Sequence, residues 1–366
     1  MGTSASFIAA RNAPARGFAA WRWLRANLFS STGSTLATLF LASLLAWAAA
    51  SALDWGVLHA VWRPDVDRCQ AARGSGACWG VIAEKGRLIL LGRYPAGESW
   101  RAVTATLLLL ALVVASCNRR LWRPGLALAW PAVLGLFLWL MGGGAGLSRV
   151  ATDLWGGLPL TVLLTVASLA LAFPLAILVA LGRRSAMPAL RTVCTAYVEL
   201  VRGVPLISVL FMASFMFPLL LPPGRSPDVL VRVVIGITLF AAAYMAEIVR
   251  AGLQSIERGQ IEAAASIGLT WWQAQRKIVL PQALAAVVPP IMNNFISLFK
   301  DTSLVSIVSL YDLTGALSLA LDSDPNWRPF KIEGYLFIAA IYFGCCFAMS
   351  RYSLRVERRL AAGRAR

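Results

Sequence analysis

Residues 262–281 read Glu-Ala-Ala-Ala-Ser-Ile-Gly-Leu-Thr-Trp-Trp-Gln-Ala-Gln-Arg-Lys-Ile-Val-Leu-Pro. This polar, amphipathic stretch stands between two long apolar runs, near 229–249 and 282–300. Water alone does not satisfy a connector that carries Ile267, Leu269, Trp271 and Trp272, so a partner surface is expected to bury apolar side chains there. Ser255–Ala265 and Trp271–Val279 are helix-compatible, and Gly268 between them suits a turn with positive φ, which costs any other residue more. Pro281 marks the start of the next apolar helix. Such a bent helix pair presents Ala263, Ala264, Ile267 and Leu269 as a small knob for a groove, with Glu262 capping or bracing the turn. Trp271 and Trp272 are read as interfacial aromatics in preference to partner contacts.

Composition sets the class. Of 366 residues, 58% are hydrophobic and only 14% charged, and the mean hydropathy is +0.69. Apolar runs lie near 36–58, 102–117, 126–146, 158–181, 195–221, 229–249, 282–300 and 334–350. A hydrocarbon layer about 30 Å thick asks for about 20 apolar residues per helix, so the fold class is an all-α integral membrane protein with about eight spanning helices. Trp130-Pro131 and Pro289-Pro290 fall inside runs and predict kinks, and the glycines 142–144 and 146 end their helix. The Ala-rich end of the first run also mimics a signal-peptidase site, but the charged lead is long and the run spans a bilayer, so a retained helix is preferred over cleavage.

The net charge of +17 does not point to nucleic acid, because the basic residues are scattered between apolar runs with no reader motif. Topology and contact with anionic membrane lipid account for them. With the N-terminus inside, the cytoplasmic segments are 1–35 (Arg11, Arg16, Arg22, Arg25), 118–123, 183–191, 250–281 and the basic tail 352–366, which follows Arg351. Asp228, Asp301, Asp312, Asp322, Asp324 and Glu333 then fall on the opposite side. The outer loop 59–100 dissents with several arginines, only partly balanced by Asp65, Asp67, Glu84 and Glu98. Its Cys69 and Cys78 flank a Gly-Ser-Gly turn; a disulfide and two free thiols are both open readings. With one histidine, His59, and no Cys/His cluster, no metal site is expected. The sequence holds no GxxxxGK[ST] phosphate loop and no GxSxG elbow.

The pattern Glu262-Ala263-Ala264, three residues, Gly268, nine residues, then Ile278-x-Leu280-Pro281 resembles the cytoplasmic coupling loop of ABC-importer permease subunits. Three further segments extend the likeness. Tyr197–Leu206 (YVELVRGVPL), Tyr244–Gly252 with Gly259–Ala264, and Phe299–Val305 (FKDTSLV) resemble, in order, segments of polar amino-acid permeases. The extra N-terminal helices and the two-cysteine loop look most like the general L-amino-acid branch.

This resemblance implies an ABC permease core over 158–351, its five helices following three N-terminal helices in 36–157. It also implies an ATPase subunit dimer gripping the coupling loop 250–281, a second homologous permease, and a periplasmic amino-acid-binding protein at the bacterial inner membrane. No cofactor is expected on this chain; ATP and Mg would sit on the ATPase. Substrate would cross by alternating access.

Intramembrane charge supplies candidate cargo contacts, because an ionised group at that depth usually faces a partner or a watery cavity. Glu247 is the candidate for a substrate ammonium, with an i,i+3 pair to Arg250 the equal alternative; backbone N–H groups at a broken helix end would take the carboxylate. Glu199 and Arg202 repeat that spacing and read as a structural pair. Lys300, Asp301 and Thr302 are further path candidates, with helix capping by Asp301 the plainer reading. An ion-gradient transporter or channel would fit the helix count but leaves the 262–281 pattern unexplained. A membrane enzyme has no catalytic constellation to support it.

Overall fold

The computed structural model describes residues 19–222 and 224–364. Arg11 and Arg16 of the basic lead lie outside them. The chain forms two compact units, one ending at Gly80 and the other beginning at Val81.

In the first unit, α1 (Ala19–Asn27) precedes α2 (Thr32–Leu53), which continues into a π-helical turn, Asp54–Leu58. Ser31 starts α2 by accepting the Ser34 N–H at 3.1 Å, the ordinary N-cap device. No residue of α2 is buried. Beyond it, α3 (Val66–Ala71) opens on Asp65 as N-cap. Cys69 and Cys78 are joined as a disulfide, Cα–Cα 5.4 Å, and both are fully buried. Trp79 packs between Trp55 and Trp62 and donates its indole N–H to the Gly56 carbonyl at 2.8 Å. The segment expected to be a loop at 59–100 is thus largely folded, and α4 (Gly80–Leu91) follows within it.

The second unit is a helix bundle. α5 (Ser99–Ser116) and α6 (Pro124–Gly142) form a hairpin, and α6 continues through Pro131. Arg101 closes that hairpin. Fully buried, it donates to the Leu140 carbonyl at 2.7 Å, one that the end of α6 leaves free, and to the Ser148 carbonyl of the following loop at 3.0 Å. α7 (Gly157–Gly182) starts at Gly157, whose φ is +63°; a Cβ there would meet the Leu90 carbonyl oxygen at 2.2 Å. Only glycine allows so close a backbone crossing.

The sequence run 195–221 is not one helix. α8 (Pro188–Arg202) and the short α9 (Leu206–Phe211) and α10 (Phe217–Leu219) belong to a pair bent by 107°. Pro205 explains the break: it lacks a donor, and its ring pushes Val204 out of the helical region. α11 (Val229–Gln254) is the central helix. Its Ala241, Ala242 and Ala246 and the Ala172, Ala176 and Ala180 stripe of α7 are buried; small side chains of this kind let helix backbones approach closely.

The inter-helical connector contains α12 (Arg258–Ser266) and α13 (Trp271–Ala274), followed by a π-helical turn, Gln275–Val279, and α14 (Leu280–Ala286). The chain then bends by 62° into α15 (Val288–Asp301), so the break predicted from Pro289-Pro290 falls at Val287. α16 (Leu313–Asp322) and the long α17 (Lys331–Arg364) complete the bundle. Among the described residues, six helices are long and apolar enough to cross a membrane, or up to eight spans if each bent pair counts as one.

Candidate functional site

Around the opening stretch, the structure supplies a built turn. Glu257, in extended conformation, precedes α12, so the helix begins three residues later than the expected Ser255. Gly268 has φ +76°. Its N–H reaches the Ala265 carbonyl at 2.9 Å, and the Leu269 N–H reaches Ala264 at 3.1 Å, so the carbonyls at the end of α12 are satisfied by the left-handed residue. Thr270 then opens α13 with a capping box: the Gln273 side chain accepts the Thr270 N–H at 2.9 Å, and Thr270 Oγ1 accepts the Gln273 N–H at 3.4 Å.

This geometry revises two expectations and agrees with a third, Pro281 at the start of the next helix. The cap is Thr270 with Gln273, whereas the Glu262 side chain is exposed and neither caps nor braces the turn. Ala264 is fully buried, leaving Ala263 and Ile267 as the outward part of the knob. Pro281 sits one residue into α14, directly after the π-helical turn, which absorbs the missing N–H and the ring clash of a proline inside a continuing helix. Ile278 and Leu280 are half-buried. Ile267 is 74% exposed, Trp271 52% and Trp272 63%. These three large apolar side chains flank one capped turn.

Glu247, three turns earlier on α11, is saturated by cations. Arg250 pairs with it at i,i+3, Arg183 Nη1 lies 2.6 Å from Oε2, and Arg202 stands at 3.9 Å. Arg183 also pairs with Glu199 at 2.9 Å. The Glu199–Arg202 pair read from spacing is therefore replaced by Glu199–Arg183, while the Arg202 guanidinium lies over the Tyr244 ring, 5.5 Å from its centroid. Arg184 donates to the Leu253 carbonyl at 2.7 Å. Together these contacts tie the ends of α7 and α8 to α11. Glu247 is thus paired within the chain as a structural clamp, its side chain 24% exposed.

A cavity of about 240 Å³ lies beside that clamp. Phe240, Ala241 and Tyr244 of α11 face Asn294, Ser297, Leu298 and Asp301 of α15 across it. Asn294 Oδ1 is buried without a hydrogen-bond partner. Asp301 ends α15 and makes no side-chain cap hydrogen bond, so the capping reading does not hold, and it forms no ion pair among the described residues. Of the other path candidates, Lys300 is exposed and does not line the cavity. Thr302 is buried and donates to the Phe299 carbonyl at 2.8 Å, a local structural role. The helix end that lines this space is the C-terminus of α15 at Asp301, and no helix N-terminus is among its lining residues. Sequence reading missed Phe240, Tyr244 and Asn294, which carry no spacing signal, and took Arg183 only as a topology marker.

The family described as "Binding-protein-dependent transport system inner membrane component" matches residues 172–362. The inner membrane amino-acid ABC transporter permease protein YhdY of Escherichia coli is 42% identical over 345 residues, covering 93% of each chain. The glutamate/glutamine/aspartate/asparagine transport system permease protein BztC of Rhodobacter capsulatus is 37% identical, covering 96% of each. The probable glutamine ABC transporter permease protein GlnP of Bacillus subtilis is 34% identical over 206 residues, which span 56% of this chain and 93% of that one. With spanning helices, a capped connector and a family match over its second half, the chain is a membrane transport subunit and belongs to the family of binding-protein-dependent transport system inner membrane components.

Proposed function

We propose that this chain is the permease subunit of an ATP-driven importer of L-amino acids, receiving cargo from a periplasmic binding protein and passing it through the membrane by alternating access. The observation that carries this reading is the connector of α12 and α13. It is capped at its turn, yet it holds Ile267 out in the open, as a surface built to enter another protein's groove would; on this reading the exposed Trp271 and Trp272 beside it are partner contacts and not interfacial aromatics. ATP and Mg belong, on this reading, to a dimer of separate ATPase subunits that grips the connector. A second homologous permease completes the membrane pathway. The connector then faces the cytoplasm of a bacterium, with both termini on the same side and the segment 59–100 in the periplasm.

The amino-acid cargo is supported by the amino-acid transport for which YhdY and BztC are named and by the chemistry of the α11–α15 cavity. Asp301 offers a carboxylate for an ammonium, Asn294 Oδ1 an acceptor for its remaining N–H, and Phe240 and Tyr244 apolar walls. Residues 158–351 form the transport core, with 36–157 an addition to it; GlnP of Bacillus subtilis, which matches just over half of this chain, supports that division.

Reconstitution tests the proposal. Proteoliposomes holding this chain, its partner permease and the ATPase, with binding protein and labelled amino acid outside, are expected to accumulate cargo only with ATP at the ATPase face. Accumulation by this chain alone, driven by an ion gradient, would overturn it.

A further inference from the structure

A second pocket, unrelated to the cargo path, opens where the ends of α5 and α17 meet. It measures about 410 Å³ and is lined by Val114, Cys117, Asn118 and Arg120 on one side and by Tyr352, Arg355, Val356 and Arg359 on the other. Cys117 at the end of α5 and Tyr352 of α17 both line it, so the two helix ends meet across the space. Arg120, Arg355 and Arg359 form no ion pair among the described residues, and no carboxylate lines the space. At about 100° per residue, Glu357 falls on the opposite face of α17 from Arg355 and Arg359. Three unpaired guanidiniums around one concavity form an anion site by charge and by fork geometry.

Position decides which anion. α17 has 34 residues, about 50 Å at about 1.5 Å per residue, against a hydrocarbon layer of about 30 Å. Its apolar run ends at Arg351, so Arg355 and Arg359 stand at headgroup depth and just beyond. On the α5 side Val114 is exposed and lies three residues before the end of the apolar run 102–117. Trp122, also exposed, donates its indole N–H to the Ser116 carbonyl at 2.8 Å, as aromatics at a membrane–water boundary do. Apolar wall below, arginines above: the site has the polarity of a phospholipid.

We propose that this pocket holds the phosphate of an anionic phospholipid, with Arg120, Arg355 and Arg359 on the headgroup and an acyl chain along Val114. The lipid would fasten α17 to the α5 end, joining the last helix of the core to the N-terminal hairpin. The inference rests on the membrane location of the chain and not on its cargo, so the two proposals fail separately.

Native mass spectrometry of the purified importer tests it, with phosphatidylglycerol and phosphatidylcholine offered at equal concentration. The wild type is expected to retain phosphatidylglycerol at least about tenfold better than phosphatidylcholine, since three guanidiniums face the headgroup. Millimolar inorganic phosphate should not displace it. The triple variant Arg120→Gln/Arg355→Gln/Arg359→Gln should fall to the phosphatidylcholine level, while Arg63→Gln/Arg68→Gln/Arg73→Gln, with the same charge removed elsewhere, should retain the lipid. Equal retention of the two lipids by the wild type, or undiminished phosphatidylglycerol on the first triple variant, would overturn the proposal. Displacement by inorganic phosphate would reassign the pocket to a soluble anion and overturn the lipid reading. The wild-type comparisons decide the matter even if the triple variant does not fold.

Discussion

Glu247 and Asp301 are both partly exposed carboxylates on helices that pack together, α11 and α15, yet their surroundings are opposite. Glu247 is met by Arg183, Arg202 and Arg250, which draw three helix ends into one knot. Asp301 faces a cavity with no cation in its lining, beside an Asn294 oxygen that is also unpartnered. A charge inside a membrane protein is costly in either setting, so each must have a use. The first is compensated within the chain and holds helices in place; the second is left for something that arrives. Residue type and helix position do not separate these roles. The count of opposing charges does.

Removing the charge at each position tests that contrast. Asp301→Asn is expected to have the larger effect on transport: an ionic hydrogen bond to an ammonium contributes about 1.5–3 kcal/mol, so uptake at limiting cargo should fall about tenfold or more, with the complex still assembled. Unchanged uptake would remove Asp301 from the path. Glu247→Gln should act on the fold instead. It strands three guanidiniums and is expected to cost about 2–3 kcal/mol of stability, below the range for a fully buried pair because about a quarter of the Glu247 side chain is exposed. Thermal unfolding of the purified complex reads this, and the apparent KM for cargo in the surviving complex should not move. A raised KM with normal stability would restore Glu247 as a cargo contact.

A smaller effect comes from the surface. Lys85 Nζ lies 2.7 Å from Asp324 Oδ2, and this hydrogen bond holds the Asp324 carboxyl below the usual aspartate range. A depressed carboxylate contributes stability that is present above its unfolded pKa and lost as pH falls through the folded one. The unfolding temperature of wild type and Lys85→Met should therefore differ slightly at neutral pH and converge in acid. A gap that persists below the folded Asp324 pKa would assign the effect to packing of the Lys85 stem.

Much of this was legible in the residues. The apolar runs announce the spans, Gly268 announces the left-handed turn, and Pro289-Pro290 announce the second bend to within two residues. The first bend was written as Gly203-Val204-Pro205 but hidden by the apolar residues on either side, which make 195–221 look continuous. Pair Glu247–Arg250 is visible because i,i+3 neighbours share a helix face, whereas Arg183 lies 64 positions away and enters only through tertiary packing. The cavity is hidden for the same reason: Tyr244 and Asp301 come from different helices. Thr270–Gln273 is a capping box legible in the sequence as Thr-x-x-Gln.

Coupling through the α12–α13 connector is the central claim, and Ile267→Asp tests it most directly. Ile267 is 74% exposed, so a charge there leaves the fold intact while placing a carboxylate where an apolar groove is expected to close. In the reconstituted importer, cargo uptake and ATP hydrolysis stimulated by the binding protein should both fall about tenfold or more, the loss of at least about 1.4 kcal/mol of contact, with the membrane subunits still assembled. Uptake and stimulated hydrolysis at wild-type levels would contradict the account.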